Sequence, residues 1–412
     1  DTNARKVGLH VGLTPLDGLQ ARPVMAYSAT SDRYLVAWYH FDGEGGRIMA
    51  YSVSGEGALD WRPFTVVTDI QALDLALDVT WDALNDRFLV VWSDVAPATI
   101  DDFDIFGQIV TLDGNLVGEA ITVSSAPNQQ HAPAVAFSLE LARYLVVFES
   151  VAPVYQMTNL SGQFLDVAGA PLLTDVAENF LLTMPGANHH ARYPDVAYDA
   201  ASRNFLAVWQ DNRADPGGWD VYGQRIDAES GTLLPLEFAI AADVGFLAEG
   251  PRLAAGPAGQ HLVVWQDTNL AMGSDGNVMG RMLAAHGAPL GASIPIATQD
   301  AYHEGAPDVA YNVGAQAFLV AWHGASQATY LPDIYARQLN IKGVPSTPIL
   351  PIAVADDSAR HWPAVAARDG HSEWLIAWED LRADRGAERI GVYARRQAAI
   401  WHVYLPLVVR GW

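Results

Sequence analysis

Short apolar runs ending in an aromatic residue recur along the chain, each bounded by polar and turn-forming residues. They read YLVAW up to Trp38, FLVVW up to Trp92, YLVVF up to Phe148, FLAVW up to Trp209, HLVVW up to Trp265, FLVAW up to Trp322 and WLIAW up to Trp378. Successive aromatics lie 54, 56, 61, 56, 57 and 56 residues apart. Runs this short, rich in Val and aromatic residues and without polar alternation, predict strands buried on both faces.

The same companions return around each run. A proline stands fifteen residues before the aromatic at Pro23, Pro133, Pro194, Pro307 and Pro363, and fourteen before it at Pro251; the second unit has Leu77 instead. Each proline is read as opening a strand, where its missing N–H is tolerated. A third strand follows the aromatic: DIFGQIV from Asp104, NLSGQFL from Asn159, DVYGQRI from Asp220, NVMGRML from Asn277 and DIYARQL from Asp333. The glycine or alanine at its centre suits close packing between neighbouring sheets. A turn such as Asp113-Gly114 or Lys342-Gly343 leads to a short fourth strand, as in FTVV at Phe64, FAIA at Phe238 and IPIA at Ile294.

Four strands per unit, repeated seven times without a helical period, predict an all-β fold: a seven-bladed β-propeller of four-stranded antiparallel blades. Stacked sandwiches fit less well, since each unit is too small to bury two faces of its own; an open β-solenoid is the alternative. The predicted blades span about 22–72, 73–129, 130–190, 191–249, 250–304, 305–360 and 361–397, in one domain over 1–412 with terminal segments 1–21 and 398–412. The seventh unit has no clear fourth strand. Either VGLHVGL (Val7 to Leu13) or HVYLPLVV (His402 to Val409) completes it and removes an exposed edge. The other is then a spare apolar strand able to add to a neighbouring molecule.

Composition narrows the partners. The net charge of −23 repels nucleic acid phosphates and anionic lipid. With no cysteine, disulfides, thiolate zinc sites and cysteine nucleophiles are excluded. No apolar run reaches the length of about 18 residues that a membrane-spanning helix needs. The chain opens at Asp1 without a methionine, which fits a mature product whose leader has been removed.

Loops before strand one and after strand two share one face, and they are the long ones: SDVAPATIDDFD, QDNRADPGGWD, QDTNLAMGSDGN and EDLRADRGAER. Long loops on a rigid scaffold are where function concentrates. His131, His189, His190, His303 and His361 lie within five residues before a strand-one proline, and His40 and His323 follow strand-two tryptophans. Strand one is innermost in a propeller, so these residues ring the mouth of the central channel. With acidic neighbours such as Glu304 and Asp357 they form a candidate transition-metal site; as polar loop residues they would pack on one another and on water.

Asp94, Asp211, Asp267 and Asp380 each stand two residues after the tryptophan. They either accept hydrogen bonds from turn backbone or supply oxygen ligands to a calcium cofactor. Asp102 and Asp104 in DDFD and Asp275 in GSDGN are the best local calcium candidates. Trp219, Tyr155, Tyr193, Tyr302, Tyr330 and Trp362 lie in or beside the long loops, where aromatic faces next to polar groups hold sugars. The nucleophile elbow, the P-loop and the dinucleotide fingerprint are absent, and no carboxylate pair is singled out for glycoside hydrolysis.

The pattern P-x-V-A-Y, F-L-V-V-W-x-D-x-R, D-I-Y-G-Q-R is clearest in PDVAY…FLAVWQDNR…WDVYGQRI of the fourth unit. It resembles a β-propeller repeat of large secreted bacterial proteins without an assigned activity, and the resemblance runs from about Arg22 to Gln397. It implies an extracellular or cell-surface location. The expected function is a non-enzymatic scaffold that binds itself or another surface protein. A lectin-like propeller binding an extracellular glycan and a polysaccharide hydrolase or lyase are the alternatives.

Overall fold

Seven four-stranded antiparallel sheets follow one another along the chain, each running from the innermost strand outward. The computed structural model describes residues 6–399 apart from 14–17, 43–44, 60–61, 72–75, 96–101, 128, 152–156, 173–178, 184–188, 215–216, 236, 243–244, 270–275, 299–301, 327–330, 355–357, 382, 385–386 and 389–390. Blade one comprises Leu19–Ser28, Arg33–Phe41, Gly46–Ser54 and Phe64–Ile70. Blade two comprises Leu77–Asp82, Arg87–Val95, Phe103–Val110 and Leu116–Ser124. Blade three has Gln130–Ser138, Arg143–Val151, Thr158–Asp166 and Phe180–Leu181, and blade four Ala191–Asp199, Asn204–Asp211, Asp220–Asp227 and Phe238–Ala241. Blade five has Phe246–Ala255, His261–Asn269, Gly276–Leu283 and Pro289–Ala297, and blade six Tyr302–Asn312, Ala317–Ser326, Pro332–Asn340 and Leu350–Ala353.

Blade seven takes Arg360–Arg368, Glu373–Asp380 and Gly391–Ala398 from the end of the chain and its outermost strand, Lys6–Gly12, from the beginning. Of the two segments able to complete it, the amino-terminal one does so, pairing antiparallel with Gly391–Ala398. The chain then crosses to blade one at Leu13, which is fully buried and whose N–H donates to the Val392 carbonyl at 2.9 Å. His402 to Val409 lie outside the described residues. First strands of successive blades touch all the way round, blade seven against blade one included.

The core consists of seven apolar layers, one in each gap between successive blades. Leu145, Trp209 and Phe205 fill the gap between blades three and four, and Val264, Phe318 and Trp322 the gap between five and six. The layer between seven and one joins Leu13, Trp38, Tyr51, Leu375 and Val392. This explains the apolar runs: strand two lies mid-sheet and meets a neighbouring blade on each face. The strand-three glycines serve their own sheet. A Cβ on Gly162 would meet the Phe180 ring at 2.4 Å, and one on Gly223 the Phe238 ring at 3.0 Å, so the glycine seats a fourth-strand aromatic.

The prolines do not open strand one. In six blades the strand begins three to five residues earlier and bulges at the proline. The bulge sets two residues of strand one, the proline and its predecessor, against the single strand-two aromatic. The predecessor is left-handed in every case: Arg22 (φ 55°), Ala132 (46°), Tyr193 (51°), Gly250 (56°), Ala306 (46°) and Trp362 (49°). Proline fits because the extra residue of a bulge drops out of the ladder, where a missing N–H costs nothing. Among the described residues of blade two, Leu77 pairs with Trp92 without a register shift.

No helix among the described residues is long and apolar enough to cross a membrane.

Candidate functional site at the channel mouth

The bulges lie at the inner ends of the long loops and form the rim of the channel. Three of them are anchored from the preceding blade by the side chain that follows its strand-two aromatic. Tyr193 N–H donates to Glu149 Oε1 at 2.8 Å, Gly250 N–H to Gln210 Oε1 at 2.8 Å and Arg22 N–H to Glu379 Oε1 at 2.5 Å. Glu149, Gln210 and Glu379 are all buried, and burial holds the Glu379 carboxyl above the usual range. At these three junctions the residue after the aromatic supplies an acceptor, and the left-handed residue of the next blade supplies the donor.

The sequence-predicted histidines divide into two kinds. His190 and His303, each four residues before a proline, clasp the preceding blade. His190 Nδ1 accepts the Thr158 N–H at 3.3 Å and His303 Nδ1 the Gly276 N–H at 3.1 Å. His131 and His361, two residues before a proline, pack ring to ring against the preceding blade. The His131 ring lies 4.7 Å from the Phe103 ring. His361 meets His323 edge to face at 5.3 Å. Burial, then the nearby His361, His303 and Arg22, pushes the His323 pKa down to about 3; burial and Arg22 also lower that of His361. Both imidazoles are therefore neutral at neutral pH. His189 lies 3.6 Å from Asp211. Among the described residues no three His, Asp or Glu side chains are grouped to hold a metal ion.

The recurring aspartates are tied to backbone and cations. Asp94 Oδ1 accepts the N–H of Gln71 at 2.9 Å and of Val95 at 2.8 Å. Asp211 holds the Arg213 N–H at 2.8 Å and the Trp209 indole N–H at 3.1 Å. Asp380 accepts from Arg360 Nε at 3.0 Å and from Ser358 Oγ at 3.1 Å. Asp104 is buried and faces Asp94 across the strand pair; burial and the charge of Asp102 raise its pKa to about 6. Asp275 lies outside the described residues, as do Tyr155, Tyr330 and Asp357.

Trp219 is half-buried, and its carbonyl accepts the Ala248 N–H at 2.7 Å. Tyr193 and Trp362 differ from every other described aromatic: they are the exposed ones, at 51% and 37%. Both are bulge residues, on blades three apart, as nearly opposite as a seven-membered ring allows. The Arg22 guanidinium sits 3.4 Å over the Trp362 ring, whose edge meets His323 at 5.8 Å. The remaining bulge positions carry Ala132, Gly250 and Ala306, which leave the rim between the two rings low.

Below the rim, the residue after the proline faces the channel. Asp195, Arg252 and Asp308 occupy this position in blades four to six, and Asp78 the matching one in blade two. Each aspartate receives an N–H from strand one of the following blade: Val135 at 2.8 Å, Leu253 at 2.7 Å and Val365 at 2.6 Å for Asp78, Asp195 and Asp308 respectively. Burial raises all three pKa values. Asp78, which also feels the charge of Asp195, reaches about 7, and Asp308, relieved by Arg252, about 6. Sequence reading missed this layer and the rim acceptors. Their signal is columnar, one residue after the proline and one after the tryptophan.

No protein-family model matches the chain, and no curated protein matches it. Solved structures match it along most of its length. A protein of unknown function from Dyadobacter fermentans is 12% identical over 96% of this chain and 99% of its own, with a TM-score of 0.56. The β-propeller domain of the Trilobed protease from Pyrococcus furiosus is 10% identical over 92% and 96%, with a TM-score of 0.52. That domain has an open velcro topology, whereas here the amino-terminal strand closes the last blade. A Penicillium chrysogenum alpha-L-arabinanase complexed with arabinobiose is 8% identical over 94% and 98%, with a TM-score of 0.49. At these identities the likeness is one of fold, and the fold is the β-propeller.

Proposed function

We propose that this chain is a non-enzymatic extracellular or cell-surface scaffold that holds its partner at the channel mouth. The observation that carries the reading is the way five carboxylates of that face are engaged. Glu149 and Glu379 accept backbone N–H groups of the next blade. Asp94, Asp211 and Asp380 accept from turn backbone, indole, hydroxyl and guanidinium groups. A general acid, base or nucleophile must reach a substrate atom, and these groups are turned into the ring. The exposed rings of Tyr193 and Trp362 are the groups presented outward. Since Lys6–Gly12 completes blade seven within the chain, self-assembly by strand donation would rest on His402 to Val409.

Sedimentation velocity for self-association, affinity electrophoresis through polysaccharide gels and product analysis on the same polysaccharides test this reading together. Self-association or retardation without product release is the expected result. Released reducing or unsaturated ends that vanish in Glu249→Gln or Glu379→Gln would overturn it in favour of a hydrolase or lyase. A chain that stays monomeric and is retarded by no polysaccharide would also count against it.

A further inference from the structure

We infer that Tyr193 and Trp362 are the two jaws of a site that grips a neutral oligosaccharide laid across the channel mouth. This rests on the mouth being the binding face and adds the chemical class of what binds there.

The first argument is conformational. Both residues are left-handed, a conformation uncommon for any non-glycine residue and least suited to bulky ones. The same bulge is built with glycine at Gly250 and with alanine at Ala132 and Ala306, so the fold does not require a ring there. About half of Tyr193 and more than a third of Trp362 stay exposed, so burial offsets the strain only in part. A ring placed where the fold would accept glycine, and left facing solvent, points to a ligand.

The second argument is shape and chemistry. The rings stand at opposite sides of the rim with small residues between them on the blade five and blade six side, which gives a slot rather than a contiguous apolar patch. Protein partners favour a continuous desolvated patch with a central anchor. A sugar chain presents apolar C–H faces to aromatic rings and hydroxyls to polar groups between them. Partly exposed polar groups of the rim include Arg22, His131, Arg192, Glu249 and His361, of both charges and mixed donor and acceptor character. With a net charge of −23 the chain as a whole repels polyanions, so a neutral glycan fits better than an acidic one.

The full-length chain is titrated with cello-, xylo-, manno- and laminari-hexaose by calorimetry and tryptophan fluorescence, with sedimentation velocity on the same samples. At least one hexaose binds and changes the fluorescence. Tyr193→Ala and Trp362→Ala each weaken binding about tenfold or more, and Tyr193→Phe stays within about threefold. The matching disaccharide is expected to bind at least about tenfold more weakly, as a ligand that engages one jaw only. Alanine already occupies this bulge position in blades three and six, and unchanged circular dichroism and melting confirm that the variants fold. Absence of binding by all four hexaoses at millimolar concentration, or binding indifferent to both alanine variants, would overturn the inference. If the hexaoses fail while the chain self-associates, the scaffold reading stands and only the oligosaccharide site falls.

Discussion

The backbone N–H of Arg22 donates to Glu379 Oε1 at 2.5 Å, tying strand one of the first blade to strand two of the last. It is the inner of three ties at the closure. The outer is the pairing of Lys6–Gly12 with Gly391–Ala398. On the opposite face, buried Arg368 bonds Asp32 at 2.5 and 2.7 Å and Glu56 at 3.0 Å, and Arg396 bonds Glu56 at 3.0 Å. Replacing Glu379 by alanine strands the Arg22 N–H without its acceptor and is expected to cost about 1–3 kcal/mol. Glu379→Gln should recover most of the loss, since Gln210 performs the same task between blades four and five. Urea denaturation of the pair checks both; equal losses would show that the hydrogen bond is not what holds this end.

Leu13 tests the outer tie. It is fully buried in the layer between blades seven and one, with Trp38 and Val392. Leu13→Ala removes contacts from both blades at once and is expected to cost about 2–5 kcal/mol. A melting temperature within a degree or two of the parent would mean that the first strand contributes little to closure.

The channel aspartates set a pH dependence. Asp78 and Asp308 have folded pKa values of about 7 and about 6 against 3.8 for the free side chain, and Asp195 is raised too. The folded chain therefore holds these protons more tightly than the unfolded chain. Their contribution is fully present below pH 3.8 and is lost as pH rises through the folded values, so stability falls between about pH 4 and pH 7. The carboxylates with lowered pKa, such as Asp32 and Asp227, act in the opposite sense and below that window. Asp78→Asn, which cannot titrate, should narrow its deficit against the parent as pH is raised from 4.5 to 8. Denaturation midpoints across that range decide it; a constant deficit would remove Asp78 from the account.

The left-handed rim makes a fourth prediction. Trp362→Gly gives up the stacking with Arg22 but relieves a strained conformation, leaving stability within about 1 kcal/mol of the parent. A larger loss by chemical denaturation would show that the indole supports the fold, and the argument for an outward role would weaken.

The repeat was legible because strand two is buried on both faces and must be apolar throughout. The proline was legible as a marker but not for what it does. Sequence places Pro194 fifteen residues before Trp209, while only the register shows Tyr193 and Pro194 together opposing that tryptophan in a bulge. The histidines part company for a related reason. His190 and His361 are both near a proline, but offsets of four and two send one to a backbone amide of the preceding blade and the other to the His323 ring. Both candidate closing segments are apolar, and composition alone did not decide between them.

The channel aspartates divide the ring in a way the tryptophans do not. Asp78, Asp195 and Asp308 join blade two to three, four to five and six to seven, and their spacing, 117 and 113 residues, is that of two blades. The sequence PDVAY recurs unchanged at Pro194 and Pro307, again two blades apart. By these ties the ring divides into three doublets, with blade one as the odd member. Fragments or permuted chains cut between blades three and four, or five and six, keep every doublet whole, while a cut between four and five parts Asp195 from Leu253.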